Sequence, residues 1–248
     1  MRSNPMMSRG LNNPDTYSQE AMSVEGTRNK TLAFVGITAI TAVIFYVLGF
    51  RNLATTRSFS LSTTLSTISS IASLILIIGM AVKPQSAKLL GIIFAATKGV
   101  FVGSISVRFA YFFDGVVSKA LILTLLAVVF TLLLYKEAPS LAGKIRNGVM
   151  ILTLAICATS LLGLVFNLFG VPFVLFGNNL MALGFSVLTT GVAIANLMVD
   201  YDNVYIASRS GLPKYMEYFF AASILVTIVW VYVEMLQLLA RIAMRAEE

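Results

Sequence analysis

Four ionisable side chains stand in sequence that is otherwise apolar. Asp200 and Asp202 close one hydrophobic stretch, Glu234 interrupts another and Lys98 a third. A charge at the centre of a bilayer costs about 2.5–3.5 kcal/mol on insertion scales, so such residues face a bundle interior or a wet cavity. Carboxylates at that depth are protonated, paired or hydrated, and an ammonium beside them favours their ionised form and repels a cation. The chemistry open to this set is proton exchange, cation coordination by oxygen, or a structural ion pair.

The elements that must position these groups are membrane spans. Hydrophobic residues make up 58% of the 248 and charged residues 12%, with a mean hydropathy of +0.87. Soluble domains carry about 25% charged residues, so composition argues against a water-soluble fold. The formal charge of +7 is scattered through short loops. It reads as a topology signal, and nucleic acid is not expected as a partner. The absence of histidine excludes His–Zn sites, Ser–His triads and imidazole relays. With no convincing nucleophile–base pair and no Gly-rich phosphate loop, neither an enzyme nor a cofactor is expected. Cys157 is the single cysteine and is expected as a small buried hydrophobe.

A span needs about 20 apolar residues to cross roughly 30 Å of hydrocarbon. Seven segments qualify: 31–50, 61–82, 89–109, 120–135, 149–169, 180–199 and 219–239. The expected organisation is a polar tail over 1–28, one all-α seven-helix transmembrane domain over 29–243, and a short C-terminal tail over 244–248. Apart from Lys98, eleven Lys and Arg residues fall in the tail and even-numbered loops and six on the opposite side. Positive residues favour the cytoplasmic side, which places the N-terminus there and the C-terminus on the far side.

Helical spacing assigns faces. In the third span Gly91, Ala95, Gly99 and Gly103 recur every four residues, a small-residue seam suited to close helix contact. Lys98 follows Gly91 by about two turns and sits at the edge of that seam, facing protein. In the sixth span Gly184, Gly191, Ala195 and Asp202 share one stripe, so Asp202 is expected to continue a packing face. Asp200 points nearly opposite and is expected as a solvated carboxylate at a helix end. Glu234 has Trp230 one turn before it. The second span carries a hydroxyl face of Ser62, Ser66, Ser69 and Ser73, which either lines a wet path or bonds back to its own carbonyls.

Three runs of the C-terminal half then become informative together: Asp200-Tyr201-Asp202, Gly211-Leu212-Pro213-Lys214-Tyr215-Met216-Glu217-Tyr218 and Val231-Tyr232-Val233-Glu234. With Glu25-Gly26-Thr27 and Asn29-Lys30-Thr31 before the first span, the chain resembles the Bax inhibitor-1 family, in its bacterial YccA-like branch. The resemblance implies a seven-helix bundle with the last helix central, in a bacterial plasma membrane. It implies a pH-sensitive calcium leak whose site is an acid at the end of the sixth helix and another in the seventh. Asp202 and Glu234 match those motifs and would be the pH sensor and a calcium site. Lys98 and Asp200 would modulate the pair, and Lys83 is the nearest match to a basic latch partner near the end of the second helix. The alternative function is a non-conducting regulator of another membrane protein, such as a membrane protease, in which Lys98 and the acids form a structural ion pair.

Two nearby carboxylates resist ionising together and titrate as a unit. Protonated, they latch two helices; deprotonated, they offer oxygens to a hard cation such as calcium. A straight hairpin turning at Gly211-Leu212-Pro213 separates Asp202 and Glu234 by roughly 18 Å along the axis, so they meet only if residues 214–220 are not the first turns of the seventh helix.

Overall fold

The computed structural model describes residues 20–171, 173–177 and 179–246. Among these are seven α-helices, each long and apolar enough to cross a membrane. They are α1 (Val24–Thr56), α2 (Ser60–Val82), α3 (Ala87–Phe112), α4 (Val116–Glu137), α5 (Pro139–Leu168), α6 (Leu180–Arg209) and α7 (Met216–Ala246). Short 3-10 turns at Pro84–Ser86 and Val174–Phe176 lead into α3 and α6. The protein is a multi-pass, all-α bundle.

The last helix is central, with apolar residues buried against neighbours on several sides. α7 packs against α1, α3, α4 and α6 and is the most buried of the seven. Phe34, Phe94, Ala95, Ala221 and Leu225 join α1 and α3 to it, and Ala120, Ala193, Leu197, Val231 and Leu236 join α4 and α6. Outward positions such as Ile68 and Ile75 on α2 and Leu154 and Leu161 on α5 are exposed. They meet hydrocarbon as apolar as themselves, so burying them in protein would gain little.

The small-residue seam of α3 does pack as its spacing predicts. A Cβ on Gly99 would lie 2.6 Å from the Thr38 carbonyl oxygen of α1, so only glycine lets the two backbones approach. The approach brings the Thr38 hydroxyl to the Ala95 carbonyl, to which it donates at 2.9 Å.

Two expectations change, and one open alternative is settled. The glycine stripe of α6 does not pack: Gly184 and Gly191 are exposed, and no atom lies within 4 Å of a Cβ added to either. The buried face carries Ala182, Ser186, Thr189, Ala193 and Leu197 instead. Hydroxyls and alanines permit close approach too, and glycine spacing alone does not say which side is used. The hydroxyls of α2 bond back along their own helix, with Ser69 donating to Leu65 O at 2.6 Å and Ser73 to Ser69 O at 2.7 Å. Cys157 is exposed on α5, not buried.

The helices also outrun the spans. α5 begins at Pro139, where a residue without an N–H is free to start a helix, and this lifts Arg146 out of the loop. α1 begins at Val24, capped by the Ser23 hydroxyl accepting from Gly26 N–H at 2.8 Å. Residues 24–28 of the expected tail are therefore helical; residues 1–19 lie outside the described residues. α7 runs to Ala246, and residues 247–248 of the expected C-terminal tail are outside them too.

Candidate functional site

On α6, Ser186, Thr189, Asn196, Asp200 and Asn203 fall within a stripe about 100° wide at 100° per residue, and they cover about 25 Å of helix axis. The stripe meets polar groups of α5 and α7 along its whole length. Asn203 accepts from Arg146 of α5 at 2.6 Å. Asp200 accepts from the Thr227 hydroxyl of α7 at 2.5 Å. Asn196 donates to Thr153 of α5 at 2.7 Å. Thr189 donates to Glu234 at 2.6 Å, and Ser186 accepts from Arg241 at 2.7 Å. Asp200 is thus the inward acid of the Asp-Tyr-Asp run, contrary to its expected place in solvent. The two acids point apart as the angular arithmetic predicts, but both face protein, Asp200 against α7 and Asp202 against α4 and α5.

Asp202 turns away from that stripe, toward the ends of α4 and α5. Its Oδ2 accepts from Arg146 at 2.6 Å and its Oδ1 from the Tyr135 hydroxyl at 3.2 Å. Arg146 thereby bridges Asp202 and Asn203, tying α5 to α6. Lys83, the expected latch partner, sits exposed at the end of α2 and makes no ion pair among the described residues. Arg146 pairs with Asp202 instead, because the extra N-terminal turns of α5 carry it to that level.

Glu234 lies elsewhere. Its Oε2 meets Thr189 and its Oε1 accepts from the Trp230 indole N–H at 3.0 Å. Thr189 precedes Asp202 by 13 residues on one continuous helix, which puts the two acids about 20 Å apart along the axis. They do not form a pair, because α7 is helical from Met216 onward and the hairpin is straight. Glu234 lines a cavity of about 530 Å³ with Gln237 and Arg241 of α7, Ser186 and Thr189 of α6, and Ser160 and Asn167 of α5.

Lys98 does not pair with any of these acids. Its ammonium rests 5.4 and 5.5 Å from the ring centroids of Phe94 and Phe101, one turn to either side. Two ring faces offer a cation–π contact in place of a carboxylate. The structural ion pair of the alternative reading is absent for Lys98 among the described residues.

One charged cluster was not singled out from sequence. Glu217, at the start of α7, is 1% exposed. It accepts from the Ser23 N–H at 2.8 Å and the Ser23 hydroxyl at 3.1 Å, and pairs with Lys30. Gly26 lies so close over this carboxylate that any Cβ there would collide with it. Beside it, Met22 N–H donates to Leu212 O at 2.7 Å and Lys214 N–H to Glu20 O at 2.8 Å. Lys214 also pairs with Glu20, whose hydrogen bond and charge hold the ammonium above the ordinary lysine range. The chain entering α1 is clasped to the loop between α6 and α7.

The partners in this clasp are the same two runs, around Glu25-Gly26-Thr27 and Gly211–Glu217, that carry the resemblance in the sequence. The sequence pattern described as Bax inhibitor 1 like matches residues 4–244. The chain belongs to the Bax inhibitor 1 like family. No curated protein and no solved structure matches it. In this member of the family the acid of α6 that faces α7 meets a threonine, Thr227, and the acid of α7 sits about three turns farther along, beyond its reach.

Proposed function

We propose that the protein is a pH-responsive cation leak, with calcium as the permeant ion and the α6 stripe as its path. It works without a resident cofactor and carries no enzymatic activity. It sits in a bacterial plasma membrane with its N-terminus in the cytoplasm. The observation that carries this is the row of oxygen-bearing side chains along α6, met by Thr227 and Glu234 of α7. Carboxylate, hydroxyl and amide oxygens suit a hard cation, and about 25 Å of axis is most of the hydrocarbon thickness.

Arg146 and Asp202 close the path at the C-terminal end of α6. While Asp202 is ionised, the ion pair binds α5 to α6 and fixes a positive charge beside Asn203. Protonation of Asp202 removes its half of the pair and frees α5. Glu234 supplies the negative charge at the opposite end, so its protonation lowers cation occupancy there. Acid therefore acts at both ends with opposite sign, and opening requires release of the closing pair. In proteoliposomes loaded with a calcium dye, Asp202→Asn should leak over the whole pH range, and Glu234→Gln should leak less than wild type. Wild-type protein without flux above empty vesicles at any pH sinks the proposal.

The clasp favours a second function. Because residues 20–23 are tied to the loop ahead of the central helix, force or binding on the preceding tail reaches α7 directly, as a regulator of another membrane protein would require. Deleting residues 1–19 leaves Ser23 and the clasp in place. A regulator then loses its effect on its partner, whereas a leak keeps its flux.

A further inference from the structure

The geometry points to a binding site for a small zwitterion in the Glu234 cavity, with the ligand's amine against Glu234 and its acidic group against Arg241. A bare cation needs little room, but this cavity holds about 530 Å³, within the roughly 300–1,000 Å³ common for small-molecule sites. Both signs of charge line it. Glu234 and Arg241 lie on one face of α7, seven residues and about 10.5 Å of axis apart, with Gln237 between them. A lone cation is drawn by one and repelled by the other, and a lone anion the reverse. A ligand carrying both charges satisfies both.

Each end has binding capacity left over. Each carboxylate oxygen of Glu234 takes one protein donor, and each can accept a second. Arg241 is 9% exposed and donates to Ala182 O, Ser186 Oγ and Leu175 O. Those acceptors, among the described residues, engage three of the five N–H groups of a guanidinium. Leu164, Leu168 and Phe185 supply apolar wall for methylenes between the ligand's charges. The same chemistry is presented by a free ω-amino acid and by the headgroup of phosphatidylethanolamine. Bound there, either occupies the far end of the proposed path; that effect on flux rests on the leak proposal, whereas the binding does not.

Trp230 is the only tryptophan of the chain and donates directly to Glu234, so its emission reports on the cavity. The full-length protein in nanodiscs of phosphatidylglycerol alone is titrated with γ-aminobutyrate. The expected result is a saturable change in emission whose midpoint rises at least tenfold in Glu234→Gln and in Ser160→Leu. The second substitution fills the cavity from the exposed side of α5 and leaves the core intact. In the other arm, phosphatidylethanolamine is added to the nanodiscs without solute. A change confined to that arm and lost in both variants assigns the headgroup as the ligand. No change in either arm, or one that both variants leave unaltered, overturns the site. Calcium flux is recorded on the same preparations: flux without binding defeats only this inference, and binding without flux defeats only the leak.

Discussion

Glu217 and Asp202, toward one end of the bundle, are held in the opposite way to Glu234 at the other. Toward the N-terminal face, Glu217 is enclosed by Lys30 and both donors of Ser23, and Asp202 by Arg146 and Tyr135. Every one of those contacts joins elements far apart in sequence. Toward the opposite face, Glu234 meets only neutral donors, and its nearest cation along α7 spends its hydrogen bonds on backbone carbonyls and a serine. A cavity separates the two charges. Paired charges without room between them make a closure, and separated charges facing a cavity make a site. The first arrangement ties elements together, and the second leaves room for the ligand proposed above.

The largest effect should come from breaking the clasp. Lys30→Met leaves Glu217 buried without its cation, a change that costs about 3–5 kcal/mol for a buried pair, read as a marked fall in the detergent melting temperature. Gly26→Leu should act through the same contact by collision. If Lys30→Met melts with the wild type, the N-terminal face is not closed by this pair and the contrast between the ends fails.

Arg146→Met should be milder in stability, about 1.5–3 kcal/mol for hydrogen bonds to a charged group, because Asp202 keeps Tyr135. Its sharper consequence is on flux, which should rise at high pH if the proposed pair is what closes the wild type there. Smaller again is Thr227→Val, which removes one hydroxyl donor from Asp200 and should cost about 1–3 kcal/mol by the same melting assay. At the bottom of the order, Lys83→Ala should shift stability within about 0.5 kcal/mol and leave the pH profile of flux unchanged. A large effect there would restore the latch role to α2.

Much of the fold was legible because hydrophobic length is a strong signal and the bilayer enforces it. The seven spans follow from it, the packed seam of α3 follows from the four-residue spacing of its small residues, and the central last helix was implied by the family resemblance. The site was legible only in part. Asp200, Asp202 and Glu234 stood out because charge is rare in apolar sequence, but which of two acids 160° apart faced inward depended on the neighbours of α6. The hydroxyls and amides at Ser186, Thr189, Asn196 and Asn203 were the available signal, and the glycines on the other side outweighed them. Arg146 was hidden because the hydrophobic window began at residue 149, past the true helix start. Glu217 was hidden because a carboxylate beside a turn is usually solvated, and only the fold brings Ser23 and Lys30 over it.

In the proposed leak, the α6 stripe conducts and is closed by Arg146 and Asp202. Its most direct test is calcium flux into proteoliposomes across a pH series, with wild type and Asp202→Asn side by side. Wild type should open as pH falls, and the variant should stay open throughout. Vesicles that stay tight with either protein, or a variant whose pH profile superimposes on that of wild type, would show that the stripe is not the path or that this pair is not its gate.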